Sequence, residues 1–306
     1  GLNSKLAASA KTLTLTGVAV NGTGNAGASA ITGNDANNNL DGSAGDDLLK
    51  GGGGADVLVG GTGKDTMFGG NGDDSYWIDS VGDVVKDEWT AAGGIDTVNL
   101  EGTAVKSYTL AGNIENAAVY GSGGILLTGN TLNNTLSGGV GADRLDGLFG
   151  NDVLNGGDGN DVLNGGDSNA TLFGDNGDDM LYGGHGTDTL HGGSGANRLA
   201  GGLGNDTYVV SSSTDRLVEN VNEGRDLVYA SVSFALGLNF EDLALTGSAA
   251  TATGNDAANN ISGNGSANFI DGRGGAGGMG GGGGAATYVV DIVGDVGGQR
   301  AREGTD

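Results

Sequence analysis

The chain has 306 residues, among them 68 Gly and no Pro or Cys, and its 38 Asp and Glu outnumber 13 Lys and Arg to give a formal net charge of −25. So many glycines exclude a helical protein, because each costs a helix interior roughly 1 kcal/mol relative to Ala, and the charge excludes partners that present phosphate or anionic headgroups, namely nucleic acid and anionic membrane. Without Cys there is no disulfide staple and no thiol chemistry, and no apolar run approaches the ~20 residues that span a bilayer.

The first residues, GLNSKLAASA, carry no signal-peptide pattern, so the chain reads as a segment of something longer. The opening stretch TLTLTGVAVNGTGN, residues 12–25, matches LALTGSAATATGN near residue 250, and residues 1–23 read as the end of a preceding spacer. From Gly24 the chain falls into nines: GNAGASAIT, GNDANNNLD, GSAGDDLLK, GGGGADVLV, GGTGKDTMF and GGNGDDSYW. Position eight is large and apolar throughout (Ile31, Leu40, Leu49, Leu58, Met67, Tyr76), while position six begins as Ser29 and Asn38 and becomes Asp47, Asp56, Asp65 and Asp74. The array spans 24–77. Its opening units read as caps whose amides hydrogen-bond along a stack.

Residues 78–128 form a spacer with short alternating runs such as VNL and YTL, which are strand-like. From Gly129 to Val209 a second array holds nine units in one register, with Leu or Tyr at every position eight from Leu136 to Tyr208. Its position-six aspartates are Asp143, Asp152, Asp161, Asp179, Asp188 and Asp206. Two units break the pattern: GGDSNATLF has Ser168 and Ala170 in place of the fourth Gly and the Asp, and GGSGANRLA has Asn197. A weak metal position is expected beside each, with the stack continuing through Leu172 and Leu199. A second spacer covers 210–253. A third array, 254–289, keeps Ile261, Ile270, Met279 and Tyr288 at position eight but has Asn259, Asn268, Gly277 and Ala286 at position six, so it retains the shape and loses the carboxylates. Residues 290–306 start another spacer. Each array closes on Tyr, and an acid follows at a fixed distance: Asp83 after Tyr76, Asp215 after Tyr208, Asp295 after Tyr288. Further on come GGIDTV, EGRDLV and EGTD. The spacers are expected to continue the stacked β architecture with longer turns.

The chemistry of the repeat is that of a hard cation. Calcium takes about six to eight oxygens at roughly 2.3–2.6 Å from carboxylates and backbone carbonyls. A loop that aims several carbonyls at one centre needs crowded dihedrals that Gly adopts without steric cost, which accounts for glycine at positions one, two and four. The ten aspartates named above are the candidate metal ligands. Competing readings of the same residues are weaker. The pairs Asp46-Asp47, Asp73-Asp74 and Asp178-Asp179 resemble acid/base dyads, but the period explains them as one ligand beside one solvent-facing residue. His185 and His191, six apart, lack zinc spacing and read as surface residues. Gly-x-Gly without a following helix or Lys is a poor phosphate signal. Trp77 and Trp89 read as packing residues ahead of sugar-stacking platforms.

G-G-x-G-x-D-x-U-x is the nonapeptide of the RTX, or haemolysin-type calcium-binding repeat, family, and this chain resembles that family over nearly its whole length. The resemblance implies an all-β fold: a right-handed parallel β-roll or β-helix solenoid with several bound Ca²⁺, two nonapeptides per turn. It also implies a secreted bacterial protein, exported unfolded through a type I, one-step channel, located outside the cell or at its surface, and folded there by calcium. With no nucleophile–base pair and no closed zinc set, the chain is expected not to be an enzyme but an extracellular scaffold, a surface layer, filament or adhesin stalk, with self-association into an extracellular assembly as a further expectation. The alternative is the calcium-folding and export region of a secreted enzyme or toxin whose catalytic domain lies elsewhere.

Overall fold

The computed structural model describes residues 2–86, 93–275, 277–290 and 296–298. Among them every regular element is a β-strand, every strand pairing is parallel, and there is no helix. The chain is a parallel β-solenoid. It divides into two compact units, Gly1–Gly150 and Asn151–Asp306, so the second array contributes to both.

The nonapeptide becomes a strand because positions seven to nine are extended and alternate. In Val57–Val59 the middle residue is buried and its neighbours are not, and in Val162–Asp167 burial alternates through Leu163 and Gly165. Side chains two apart on a strand share a face. The inward set is therefore position six, position eight and position one of the next unit, for example Asp161, Leu163 and Gly165. Leu154, Leu163, Leu172, Leu181, Leu190 and Leu199 are fully buried, each worth roughly 1.5–3 kcal/mol of apolar transfer. A single unit buries none of this; the stack does.

In the first unit one wall runs Ala19–Thr23, Asn39–Asp41, Val57–Val59, Ser75–Ile78, Thr97–Glu101, Asn116–Tyr120 and Thr135–Val140. The opposite wall runs Thr12–Thr14, Ala30–Thr32, Leu48–Gly53, Thr66–Asn71 and Val84–Val85. Consecutive strands of a wall are alternate nonapeptides: Leu40 lies on Leu58, and Leu58 on Tyr76. Two units thus make one coil. The spacer keeps the stack while changing the coil length, since Ser75 pairs with Thr97 and Thr97 with Asn116.

The second unit repeats the arrangement. One wall runs from Val153–Asp158 through Thr171–Asn176, Thr189–His191, Thr207–Val210, Leu227–Ala230, Asp242–Leu245, Asn260–Ser262 and Gly278–Gly280 to Val296–Gly298. The carboxylate-poor third array is part of this stack: Ile261, Ile270 and Met279 are buried and Tyr288 is half-buried.

One surface expectation, that for His191, changes. His191 is half-buried and stacks on Phe173 at 4.6 Å between ring centroids, so it packs one coil against the next; His185 is exposed, 2.9 Å from Asp167. Trp77 is 40% exposed and packs on the outside of its wall against Tyr120, with ring centroids 5.2 Å apart. Trp89 and Asp295 lie outside the described residues.

Candidate metal centre

All ten position-six aspartates, Asp47, Asp56, Asp65, Asp74, Asp143, Asp152, Asp161, Asp179, Asp188 and Asp206, are at most 3% exposed. Asp47, Asp56, Asp65, Asp74, Asp143, Asp179, Asp188 and Asp206 are placed by the same rung. The backbone N–H of the residue one coil earlier, 18 residues back, donates to Oδ1: Ser29 to Asp47 at 2.7 Å, Asn38 to Asp56 at 2.7 Å, Asp47 to Asp65 at 2.8 Å, Ile125 of the spacer to Asp143 at 2.9 Å, Asp161 to Asp179 at 2.8 Å and Ala170 to Asp188 at 2.6 Å. One oxygen of the carboxylate thus does structural service.

The other oxygen points at the position-one glycine of its own unit. In Asp47, Asp56, Asp65, Asp179, Asp188 and Asp206 that Oδ2 is buried and accepts no hydrogen bond. A methyl group at Gly51 would lie 2.1 Å from Asp56 Oδ2 and 2.6 Å from the carbonyl oxygen of Gly69; at Gly183 it would lie 2.4 Å from Asp188 Oδ2 and 2.6 Å from Gly201 O. Carboxylate and carbonyl oxygens therefore converge where a side chain would be. This corrects the account of the glycines. Left-handed dihedrals belong to positions two and four, as at Gly52 (φ 120°) and Gly54 (φ 94°), whereas position one does not have a positive φ and is Gly because nothing larger fits among those oxygens.

Burial raises the carboxylates above their ordinary range, because a charged carboxylate is costly in dry surroundings. Asp56, Asp65, Asp179 and Asp188 are pushed up to about 6 and Asp206 to about 7; Asp47 and Asp143 move the same way. Donor type, charge and the buried oxygens without donors fit a hard divalent cation. Bound there, it would supply the positive charge that the stack of acids lacks.

Neutral residues at position six solve the problem differently. In the opening unit of the second array, Asn134 accepts the Asn130 N–H through Oδ1 at 2.8 Å, and its Nδ2 donates to the Ile114 and Glu115 carbonyls at 3.2 and 3.1 Å. Asn259 and Asn268 do the same in the third array: Nδ2 of Asn259 donates to Phe240 O at 2.8 Å and that of Asn268 to Ala249 O at 3.0 Å. The amide group supplies the donor that a carboxylate would need a cation to replace. This is how the units of Asn259 and Asn268 in the third array stack without acids. Of the two irregular units, Asn197 accepts the Asp179 N–H at 2.9 Å and passes Nδ2 on to Asp215 at 3.0 Å, while Ala170 is buried and offers no side-chain acceptor, its backbone N–H donating to Asp188 and its carbonyl accepting from Thr189.

The rungs do not stop where the nonapeptides do. Asp83 accepts from Asp65 at 3.0 Å, Asp96 from Asp74 at 2.8 Å, Asp215 from Asn197 at 3.2 Å and Asp226 from Asp206 at 2.8 Å. These four, and Glu219 beside them, were not among the expected ligands. The acid at fixed distance after each closing Tyr and the GGIDTV and EGRDLV motifs were the signal for Asp83, Asp215, Asp96 and Asp226; nothing in the spacing pointed to Glu219. Position five is indeed exposed, yet it forms an outer ladder of opposite sense, with Asp46 accepting from Lys64 N at 3.0 Å and Asp178 from Ala196 N at 2.8 Å.

No curated protein is significantly similar to the chain. The profile of the RTX calcium-binding nonapeptide repeat matches residues 23–49, 50–80, 128–163, 164–199, 173–208 and 182–217, which are the two aspartate-bearing arrays with their closing segments. Repeat, stacked coil and buried carboxylate rung agree, and residues 23–80 and 128–217 of the chain are RTX calcium-binding nonapeptide repeats.

Proposed function

We propose that this chain is a calcium-folded structural region of a secreted bacterial protein, acting outside the cell as a scaffold such as a surface layer, filament or adhesin stalk and not as a catalyst. The observation that carries the reading is the buried rung: each of the two aspartate-bearing arrays turns its acids inward, between successive coils, at positions where a cation completes the fold instead of serving a substrate. RTX repeats are typical of secreted bacterial proteins, and the physics supports a switch at the cell boundary. Acids that repel one another at low cytosolic calcium keep the chain unfolded for export, and a site that exists only in the folded state turns binding energy into folding energy.

The test has two parts. Circular dichroism of the segment is expected to show β structure in millimolar CaCl₂ and its loss in excess chelator. Electron microscopy of the calcium form is expected to show ordered assemblies, and uniformly monomeric particles beside a catalytic domain in the flanking sequence would transfer the reading to the folding and export region of a secreted enzyme or toxin.

A further inference from the structure

The turn that closes the second array gathers three buried acids without using the nonapeptide spacing. Asp206 comes from position six of the last unit, Glu219 follows strand Arg216–Val218, and Asp226 precedes strand Leu227–Ala230. They are 1%, 8% and 1% exposed, and one oxygen of each lies within 4.8 Å of those of the other two.

Backbone and hydroxyl donors account for only part of this carboxylate set. Asp206 Oδ1 accepts the Asp188 N–H, Asp226 Oδ1 accepts the Asp206 N–H, both at 2.8 Å, and the Tyr208 hydroxyl donates to Glu219 Oε1. Asp206 Oδ2 and Glu219 Oε2 remain, buried and receiving no hydrogen bond. Arg225, the cation next in sequence, turns outward to Asp242 at 2.6 Å. Glu223, half-buried in the same turn, adds a further acid and is held by Asn220. Buried like charges at this separation persist only when something neutralises them. Oxygens bound at roughly 2.3–2.6 Å to one calcium stand at most about 4.6–5.2 Å apart, a range that includes the spacing of this group.

We propose that Asp206, Glu219 and Asp226 form a divalent cation site of calcium size, with Tyr208 orienting Glu219. It differs from the loop positions in drawing its three carboxylates from two turns, Asp206 from the last loop of the array and Glu219 and Asp226 from one turn of the spacer, so a cation here fastens the spacer to the last coil of the array. Its preference for calcium rests on the reading of the arrays; its existence does not.

The test counts ions on the full chain folded in CaCl₂, by native mass spectrometry. Glu219→Gln, which keeps shape and removes charge, is expected to bind one ion fewer than the unaltered chain with the same circular dichroism. An unchanged count in the folded variant overturns the proposal. Should Glu219→Gln not fold, Glu219→Asp keeps the charge on a shorter arm: one ion weakened at least tenfold in a CaCl₂ titration supports the site, and unchanged affinity for every ion overturns it. Asp188→Asn, in the array, separates the two readings. A loss of ions there with none in Glu219→Gln leaves the arrays as calcium sites and removes this one.

Discussion

The backbone N–H of Asp179 donates to Asn197 Oδ1 at 2.9 Å, in the place where Asp161 donates to Asp179 Oδ1 at 2.8 Å. The rung is the same and the charge is not, because Asn197 hands its own amide proton to Asp215 while Asp179 keeps a buried oxygen with no donor. That difference separates what the stack needs from what the cation needs.

Calcium is therefore expected to control folding wherever aspartate occupies the rung. Titrating CaCl₂ into chelated chain at neutral pH should produce a cooperative gain of β signal by circular dichroism in the high micromolar to millimolar range; full β structure in excess chelator would sink the idea.

Protons should partly replace calcium. The folded carboxylates Asp56, Asp65, Asp179 and Asp188 titrate at about 6 and Asp206 at about 7, against an ordinary 3.8. The folded state binds more protons than the unfolded one across that interval, so stability without metal is highest at acid pH and falls as pH rises through about 6 to 7. Chelated chain is expected to gain β signal on going from pH 7.5 to pH 4.5, and calcium affinity is expected to weaken over the same descent because metal and proton compete. A chelated chain equally unfolded at both values would contradict the cost assigned to burial.

Asp56→Ala should harm far more than Asp46→Ala. The first removes a buried acceptor of the Asn38 N–H together with the oxygen aimed at Gly51, at about 1–3 kcal/mol for the orphaned donor alone. The second removes an exposed acceptor of the Lys64 N–H, worth about 1 kcal/mol or less. Equal calcium midpoints for the two variants would argue against the inward register of position six.

Gly51→Ala and Gly53→Ala test the reason for position one. A methyl at Gly51 meets Asp56 Oδ2 and Gly69 O, whereas at Gly53 its nearest neighbour is Asp35, 3.6 Å away. Loss of calcium-dependent folding is expected for the first and near-normal folding for the second, read as midpoints of the CaCl₂ titration.

Leu148 and Ser168 occupy positions two and four with φ of 74° and 99°, which the repeat imposes on residues that dislike them. Ser168→Gly is expected to stabilise by about 1 kcal/mol or less, the relief of backbone strain being partly offset by glycine's greater freedom when unfolded. A calcium midpoint that rises instead of falling would mean the Ser168 side chain contributes more than its backbone costs.

Periodicity made much of this legible. Position eight at every ninth residue determined a stacked β architecture, and alternation about it placed position six inward; that two units make one coil, setting Leu40 on Leu58, was implied by the resemblance to the repeat family. The opening asparagines were readable as hydrogen-bonding caps, and Asn25 and Asn130 indeed donate to carbonyls of the preceding coil. Such features follow from local geometry repeated at constant spacing, so a single chain of letters carries them.

The rest depended on which atoms of distant coils meet. That position one is Gly for lack of space, that one carboxylate oxygen holds a backbone N–H while the other faces a carbonyl, and that asparagine replaces the pair with its own donor are relations between residues a full coil apart. The spacers change the coil length, from Ser75 on Thr97 to Leu227 on Asp242, and no fixed period predicts who lies on whom across them. Glu219 reaches Asp206 and Asp226 only because the turns between them fold back over the end of the array; spacing determined the ladder, and only the tertiary path of the irregular turns decided where its last acids converge.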